Sequence, residues 1–487
     1  MTLLALIHTG VALWLAAYGL NAIILAVLYL HHRRDDPREP TFDRAALPAV
    51  TVQVPVYNER HVIERAIDAV ASLDYPRDRL DIQILDDSSD VTTHLARTCA
   101  ADHRARGLDI KVMRRPDRHG YKAGALSWGL ERARGDFVAI FDADFRPRPD
   151  FLLRTVPHFL DRPQLGLVQA RWSHLNGDYS VLTRAQAMAF DGHFVVEQTG
   201  RDRSGLLMNF NGTGGVWRKA CIEESGGWEA ATLSEDLDLS YRAQLAGWET
   251  LYLPDVDAPA ELPPQLAAFK RQQARWTQGS VQTLRKLLQP IVRTRRLGLI
   301  QKVMALLHLS GYLAHALMVL LLLVTLPLLL CGRALPSLGN VGLVMSLGPP
   351  IVYLISQQAL YADWRRRLLQ FPLLVLLGIG MAWNNSLAVC RGLSRWGGKF
   401  ARTPKFNVQG KAGDWLKSAY RLQIDGTVFG ELVLTAYALV ATVIAHATGR
   451  YGLIPFLLLY AAAFGTVAGI EIAQAASPRQ PRAEARG

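Results

Sequence analysis

Long unbroken apolar stretches frame a central region in which apolar and polar residues alternate every few positions. Residues from about Leu3 to Leu30 are almost wholly apolar and long enough to span a bilayer, and the basic stretch "HHRRDDPRE" follows them. From about Pro48 to Gln289 the apolar runs shorten. "AVTVQVPV", "LDIQILDD", "LDIKVMRR", "DFVAIFDAD", "LGLVQARW" and "ETLYLPD" predict strands, and helical patterns such as "KAGALSWGLERAR" lie between most of them. That alternation predicts an open α/β, Rossmann-like sheet built from βαβ units, in which ligands bind at the carboxyl ends of the strands.

From about Val303 the chain turns apolar again. Spans are expected at about Met304–Leu330, Val341–Leu360, Val428–Ala447 and Leu453–Gln474. A further run, Leu368–Val389, is apolar but carries Pro372, Asn384, Asn385 and Ser386. "RTRR" before Met304 and "DWRRR" after Leu360 read as cytoplasmic under the positive-inside rule. If Leu368–Val389 crossed, "RGLSRWGGKFARTPK" and the basic tail "SPRQPRAEARG" would both lie outside; if it lies in the interface, both fall inside. The expectation is therefore a re-entrant or interfacial helix over about 366–390, with a sixth crossing as the alternative. The predicted plan has an N-terminal anchor over 1–32, an α/β domain over 48–290 and a membrane region over 300–475. That region includes a loop at 396–410, and a disordered basic tail occupies 476–487. One N-terminal and four C-terminal spans put the α/β domain and the C-terminus on the cytoplasmic side of the plasma (inner) membrane. No A-x-A cleavage pattern follows the first run, which therefore reads as an anchor.

Charge and cysteine usage refine this picture. The net charge is +12 over 487 residues, but the basic residues flank the spans, where anionic headgroups account for them. A nucleic-acid partner is not indicated. Cys99, Cys221, Cys331 and Cys390 are scattered without C-x-x-C spacing, which argues against a zinc site or a disulfide framework.

The candidate chemistry is acidic. Asp142 and Asp144 end the strand in "DFVAIFDAD", and residues two apart on a strand point the same way. Two hard oxygen donors on one face suit Mg²⁺ or Mn²⁺ completed by phosphate oxygens. On spacing alone a solvated turn is the favoured reading, since "RPRPD" follows. "ILDDSSD" puts Asp86 and Asp87 at the end of another strand. "LSEDLDLSYRAQLAGW" predicts a helix capped by Ser234, with Glu235 and Asp236 in its first turn, where the helix dipole alone favours acids. "FKRQQARWTQGS" sets Gln272, Arg275 and Trp276 at helical spacing. An amide, a guanidinium and an indole can wall a sugar site, although Trp and Arg are also common at membrane interfaces.

As an ordered set, "YNE", "DDS", "HGYKAGAL", "FDADF", "NFNGTGGVWR", "SEDLDL" and "QQARW" resemble the processive, inverting family-two glycosyltransferases. The likeness runs from about Pro48 to Gly279. It is to the plant cellulose-synthase-like A and C proteins (mannan, glucomannan or glucan synthases), with bacterial cellulose and hyaluronan synthases further off. The resemblance implies a GT-A fold and a role for each matching position. Asp87 contacts the base or ribose of a nucleotide sugar, with Asp86 beside it, and Lys122 meets the diphosphate. Asp142 and Asp144 hold the divalent ion, and Asp236 is the general base. Gln272, Arg275 and Trp276 bind the diphosphate and the acceptor's terminal sugar. Phe210, Asn211, Gly212 and Thr213 form the acceptor-facing segment. "KFARTPK" resembles a gating-loop motif, which singles out Phe400, Thr403 and Lys405. Two departures stand out: Ser234 replaces the usual threonine before Glu-Asp, and Arg402 replaces the loop's valine. The tail is also shorter than a cyclic-dinucleotide regulatory domain.

The implied function is transfer of a hexose, from GDP-mannose or UDP-glucose, to a growing β-linked polysaccharide coupled to its export. A non-processive enzyme adding one sugar to a lipid is the alternative. A nucleotide-binding transport subunit lacks support: there is no P-loop, and "NGTGGVW" is not G-x-G-x-x-G.

Overall fold

The computed structural model describes residues 3–332 and 339–477. Seven strands form one sheet: β1 (Val50–Val56), β2 (Leu80–Asp86), β3 (Ile110–Met113), β4 (Phe137–Ile140), β5 (Leu165–His174), β6 (Gly215–Arg218) and β7 (Glu249–Ala260), in the order β3-β2-β1-β4-β6-β5-β7. The first four pair in parallel, as a near-continuous apolar run such as "VTVQVPV" requires when helices cover both faces. Polar residues inside these strands are satisfied sideways. Thr51 donates to Asp81 Oδ2 at 3.2 Å, and Gln53 donates to Gln83 Oε1 at 3.0 Å.

The sheet departs from the predicted parallel arrangement at β6, which runs antiparallel to both β4 and β5. Its four residues follow the glycine-rich "NGTGG" and show neither alternation nor length, so no strand pattern announces it. The consequence for the site is direct. Gly215 pairs with Ile140, and Gly214 N donates to Ile140 O at 2.8 Å. The segment just before β6 is thereby fixed beside the residues just after β4.

Four helices of the described residues are long and apolar enough to cross a membrane: α1 (Leu3–His32), Leu313–Leu330, Thr427–Ala447 and Tyr451–Ala476. The pair Trp364–Gly380 and Ala382–Ser394 makes a fifth candidate if taken together, bent by 40° at its break. The expected span Met304–Leu330 is two helices, Leu299–Ser310 and Leu313–Leu330, parted at Gly311. Val341–Leu360 is not one helix either. Gly339–Ser346 and Gly348–Leu360 are separated at Leu347, where Pro349 and Pro350 open a new first turn because they have no N–H to give the preceding helix. Residues 478–487 of the expected tail lie outside the described residues.

One amphipathic helix joins the α/β unit to the membrane region. It spans Leu266–Arg293 and packs along Ala382–Ser394. Near its start, Lys270 Nζ lies 2.6 Å from Glu431 and 2.7 Å from Glu471, one on each of the last two spans. All three side chains are buried. Asn384 Nδ2 donates to Lys270 O at 3.1 Å, and Glu471 also accepts from Asp425 N at 2.8 Å.

Candidate active site

A cleft opens at the carboxyl ends of β1, β4 and β5, as expected for an open sheet. It gathers Asp87, Lys122, Asp142, Asp144, Asn211, Asp236, Gln272, Arg275, Trp276, Phe400, Thr403 and Lys405 from widely separated stretches of chain.

The acidic pair reaches the cleft by a different route from the one the spacing predicts. β4 ends at Ile140, and Asp142 to Phe145 form a turn closed by Phe145 N donating to Asp142 O at 2.9 Å. Phe141, Ala143 and Phe145 are buried and anchor this turn, while the two carboxylates line the cleft. Lys122 Nζ lies 2.5 Å from Asp142 Oδ1 and donates to Gly212 O at 2.9 Å. Burial works against the Lys122 charge, but Asp142, Glu235 and Asp236 around it raise its pKa above the ordinary value. Lys405 Nζ lies 2.6 Å from Asp144 Oδ2 and donates to Glu261 O at 3.0 Å. Two hard carboxylates two residues apart on one cleft are oxygen donors of the kind a divalent ion takes, with Lys122 and Lys405 as their partners here.

Asp236 stands in the first turn of the helix Glu235–Ala246, where it accepts from Leu237 N at 2.8 Å. Burial raises its pKa, against the opposing charges of Lys122 and Arg275. Burial, reinforced by Asp236, pushes neighbouring Glu235 up to about 7. A carboxylate held above its usual range is suited to taking a proton near neutral pH. Ser234 occupies the N-cap position, but its hydroxyl makes no capping bond, contrary to expectation. A Cβ built on Gly279 would come within 2.1 Å of that hydroxyl, so the Leu266–Arg293 helix crowds it.

Four other residues depart from their expected places. The Asp86 carboxylate turns away from the cleft, accepting from Ser88 N at 2.9 Å and Thr93 Oγ1 at 2.6 Å, with Arg114 3.2 Å away. It shapes the strand end and leaves Asp87 facing the cleft, gripped by Arg115 at 2.8 and 2.6 Å. Thr213 is fully buried beneath the site, and its hydroxyl accepts from Asp142 N at 2.9 Å. Gly212 presents backbone: at φ +82° a Cβ would meet Asp236 Oδ2 at 2.7 Å. Replacing Gly212 by alanine is therefore expected to displace the Asp236 carboxylate and lower turnover about 10- to 100-fold with donor affinity retained. Turnover and donor titrations on the same preparation check it. Phe210 is core, packed edge-on against Trp217.

The loop 396–410 lies over the cleft. Phe400 stacks on Tyr121 with ring centroids 6.2 Å apart, and Arg275 Cζ sits 4.3 Å from the Phe400 ring. Arg402, the departure from the resembled motif, finds its own partner: its Nε lies 2.9 Å from Glu59. Burial pushes Glu59 up to about 8, with Arg402 opposing. On the opposite wall Trp276 lies against Phe190 at 5.8 Å and Trp172 at 6.5 Å. Gln272 Oε1 and Arg275 Nε are buried in the wall without a hydrogen-bond partner. Orphaned polar atoms lining a cleft call for a ligand to complete them.

Sequence reasoning missed Glu59, Arg118, Trp172 and Glu261 as lining residues. Trp172 was legible in principle as the end of a predicted strand; Arg118 carried no signal at all. Glu261 follows β7, which runs past the predicted "ETLYLPD" to Ala260.

Residues 48–279 match the family described as "Glycosyltransferase like family 2". Relatives include Glucomannan 4-beta-mannosyltransferase 2 of Arabidopsis thaliana, 42% identical over 293 residues, covering 58% of this chain and 55% of the relative. Probable glucomannan 4-beta-mannosyltransferase 3 of Oryza sativa subsp. japonica is 46% identical over 256 residues, covering 52% of this chain and 46% of the relative. The chain spans about half the length of the curated relatives it matches. Among solved structures, the mannosyltransferase PcManGT from Pyrobaculum calidifontis, in complex with GDP-Man and Mn²⁺, superposes with a TM-score of 0.53 at 23% identity. The match covers 80% of this chain and 99% of that one, a likeness of fold. Residues 48–279 are thus a domain similar to glycosyltransferase family 2, folded as a GT-A unit with a mixed sheet.

Proposed function

We propose that the protein transfers mannose from GDP-mannose, with UDP-glucose as the second candidate donor, to a growing β-1,4-linked mannan or glucomannan that it also moves across the membrane. The carrying observation is one cleft that sets Asp142, Asp144, Lys122 and Arg275 together with a buried carboxylate, Asp236. The names of the plant relatives support mannosyl transfer and the 4-β linkage. Asp87 contacts the nucleoside, and Lys122 and Arg275 take up the negative charge of the departing diphosphate. Asp142 and Asp144 would hold Mg²⁺ or Mn²⁺, which would supply further charge neutralisation at that diphosphate. Asp236 takes the proton from the acceptor hydroxyl as its oxygen attacks the anomeric carbon. The sugar–phosphate bond breaks with its electron pair leaving on the diphosphate, so an α-linked donor yields a β-linkage. Trp276 and Asn211 face the acceptor, and the loop carrying Phe400, Thr403 and Lys405 covers the donor. The catalytic unit and the C-terminus face the cytoplasm from the plasma (inner) membrane, and the apolar helices carry the product path.

Purified protein given Mg²⁺ or Mn²⁺ and each nucleotide sugar in turn tests this reading. The expected product is a ladder or insoluble polymer from GDP-mannose with 4-linked β-mannosyl residues. Chelation is expected to stop its formation and added divalent ion to restore it. A single glycolipid band identifies the one-sugar alternative, and no product from any donor overturns the reading.

A further inference from the structure

The helix after β5 widens into a π turn over Gly192–Glu197, a distortion that proteins frequently place at functional sites. It carries a histidine that the proposed chemistry does not use. His193 Nδ1 lies 2.9 Å from Glu197 Oε2, and His193 Nε2 lies 3.2 Å from Asn211 Oδ1. Asn211 Oδ1 also accepts from Asn209 Nδ2 at 2.9 Å. The neighbours are themselves held: Asn211 N donates to the buried Gln169 Oε1 at 3.1 Å, and Gln198 Nε2 donates to Asn209 O at 2.9 Å. The ring thus bridges a carboxylate on one side and the Asn211 amide on the other. The Asn211 amide nitrogen keeps only a long 3.5 Å contact to Asn209 O, and Asn211 lines the cleft one residue from the glycine that abuts Asp236.

We propose that the His193–Glu197 pair positions Asn211: the imidazole, steered by Glu197 on one side, holds the Asn211 amide on the other so that it can hydrogen-bond a hydroxyl of the acceptor's terminal sugar. The inference deepens the glycosyl-transfer reading and rests on it.

Three variants of the full chain in detergent test this, with binding of a β-1,4-linked manno-oligosaccharide followed by calorimetry and acceptor KM by turnover. His193→Phe is expected to raise the acceptor dissociation constant and KM about tenfold, the scale of one oriented hydrogen bond, with kcat and donor affinity little changed. His193→Gln, whose amide can still hydrogen-bond Asn211, is expected to keep tight binding. Glu197→Leu, which releases the ring, is expected to weaken acceptor binding in the same direction as His193→Phe. Unchanged acceptor binding in His193→Phe, or binding in His193→Gln as weak as in His193→Phe, overturns the proposal. If the wild type makes no product from any nucleotide sugar, the functional reading fails separately. The positioning is then decided by ¹⁵N spectra of the Asn211 side-chain amide, identified by its loss in Asn211→Asp, which must shift in His193→Phe; an unmoved signal overturns it.

Discussion

Replacing Asp236 by asparagine is expected to reduce glycosyl transfer about 10²- to 10⁴-fold while donor binding survives. Asparagine keeps the size of the side chain and can still accept from Leu237 N, so the first helical turn and the narrow gap beside Gly212 are undisturbed. What is lost is the proton acceptor. The proposed donor contacts lie with other residues, of which Asp87 is held by Arg115 and Lys122 by Asp142 and Gly212 O. The pH profile sharpens the test. Burial raises the Asp236 pKa, so wild-type turnover should climb with pH through a value above the usual aspartate range and then level off as the base ionises. That rising limb should be absent from the residual activity of the variant. Near wild-type turnover in Asp236→Asn would move the base elsewhere, with Glu235, held at about 7, the next candidate. Stopped-time product assays from pH 5 to 9, paired with donor titrations, read both quantities.

The second large effect concerns stability. Lys270→Met is expected to destabilise the protein by about 3–5 kcal/mol, because it strands two buried carboxylates, Glu431 and Glu471, without their shared cation. Methionine matches the lysine stem in volume, so the loss comes from charge and not from a cavity. The triple replacement Lys270→Met, Glu431→Leu and Glu471→Leu removes all three charges together and should recover much of that loss, since well-packed apolar groups often equal or exceed a buried ionic cluster. Thermal unfolding in one detergent, compared across wild type, single and triple variants, checks both statements. A single variant as stable as the triple would show that the carboxylates find protons or water on their own.

The parallel half of the sheet and the long apolar helices were legible because burial on both faces, or immersion in lipid, leaves a continuous hydrophobic signature. β6 was not, because four residues opening on glycine carry no period. The cleft shows the same division. Asp142, Asp144 and Asp236 announce themselves as charges at the ends of elements, and the fold brings them together with Arg275 from within a helix. Asp86 and Asp87 are adjacent in the chain and chemically identical, yet one is consumed by Thr93, Ser88 N and Arg114 while the other faces the cleft. Only tertiary hydrogen bonding separates them. Thr213 was expected at the surface of the site because its neighbours are there; the turn into β6 buries it, and it braces Asp142 from below. His193 escaped notice because a π turn sets its direction, and nothing in a 3.6-residue period predicts one extra residue in a turn.

The antiparallel pairing of β4 with β6 has a mechanical consequence. Two rims of the cleft, the Asp142 turn and the Asn211–Gly214 segment, leave side by side from the same end of one antiparallel ladder, tied by Gly214 N to Ile140 O and by Asp142 N to Thr213 Oγ1. They cannot drift apart without breaking that ladder, so the span between donor side and acceptor side is a fixed gauge built into the sheet. Adaptation to sugars of different shape must therefore come from the parts mounted outside this gauge: the loop bearing Phe400 and the helix bearing Trp276.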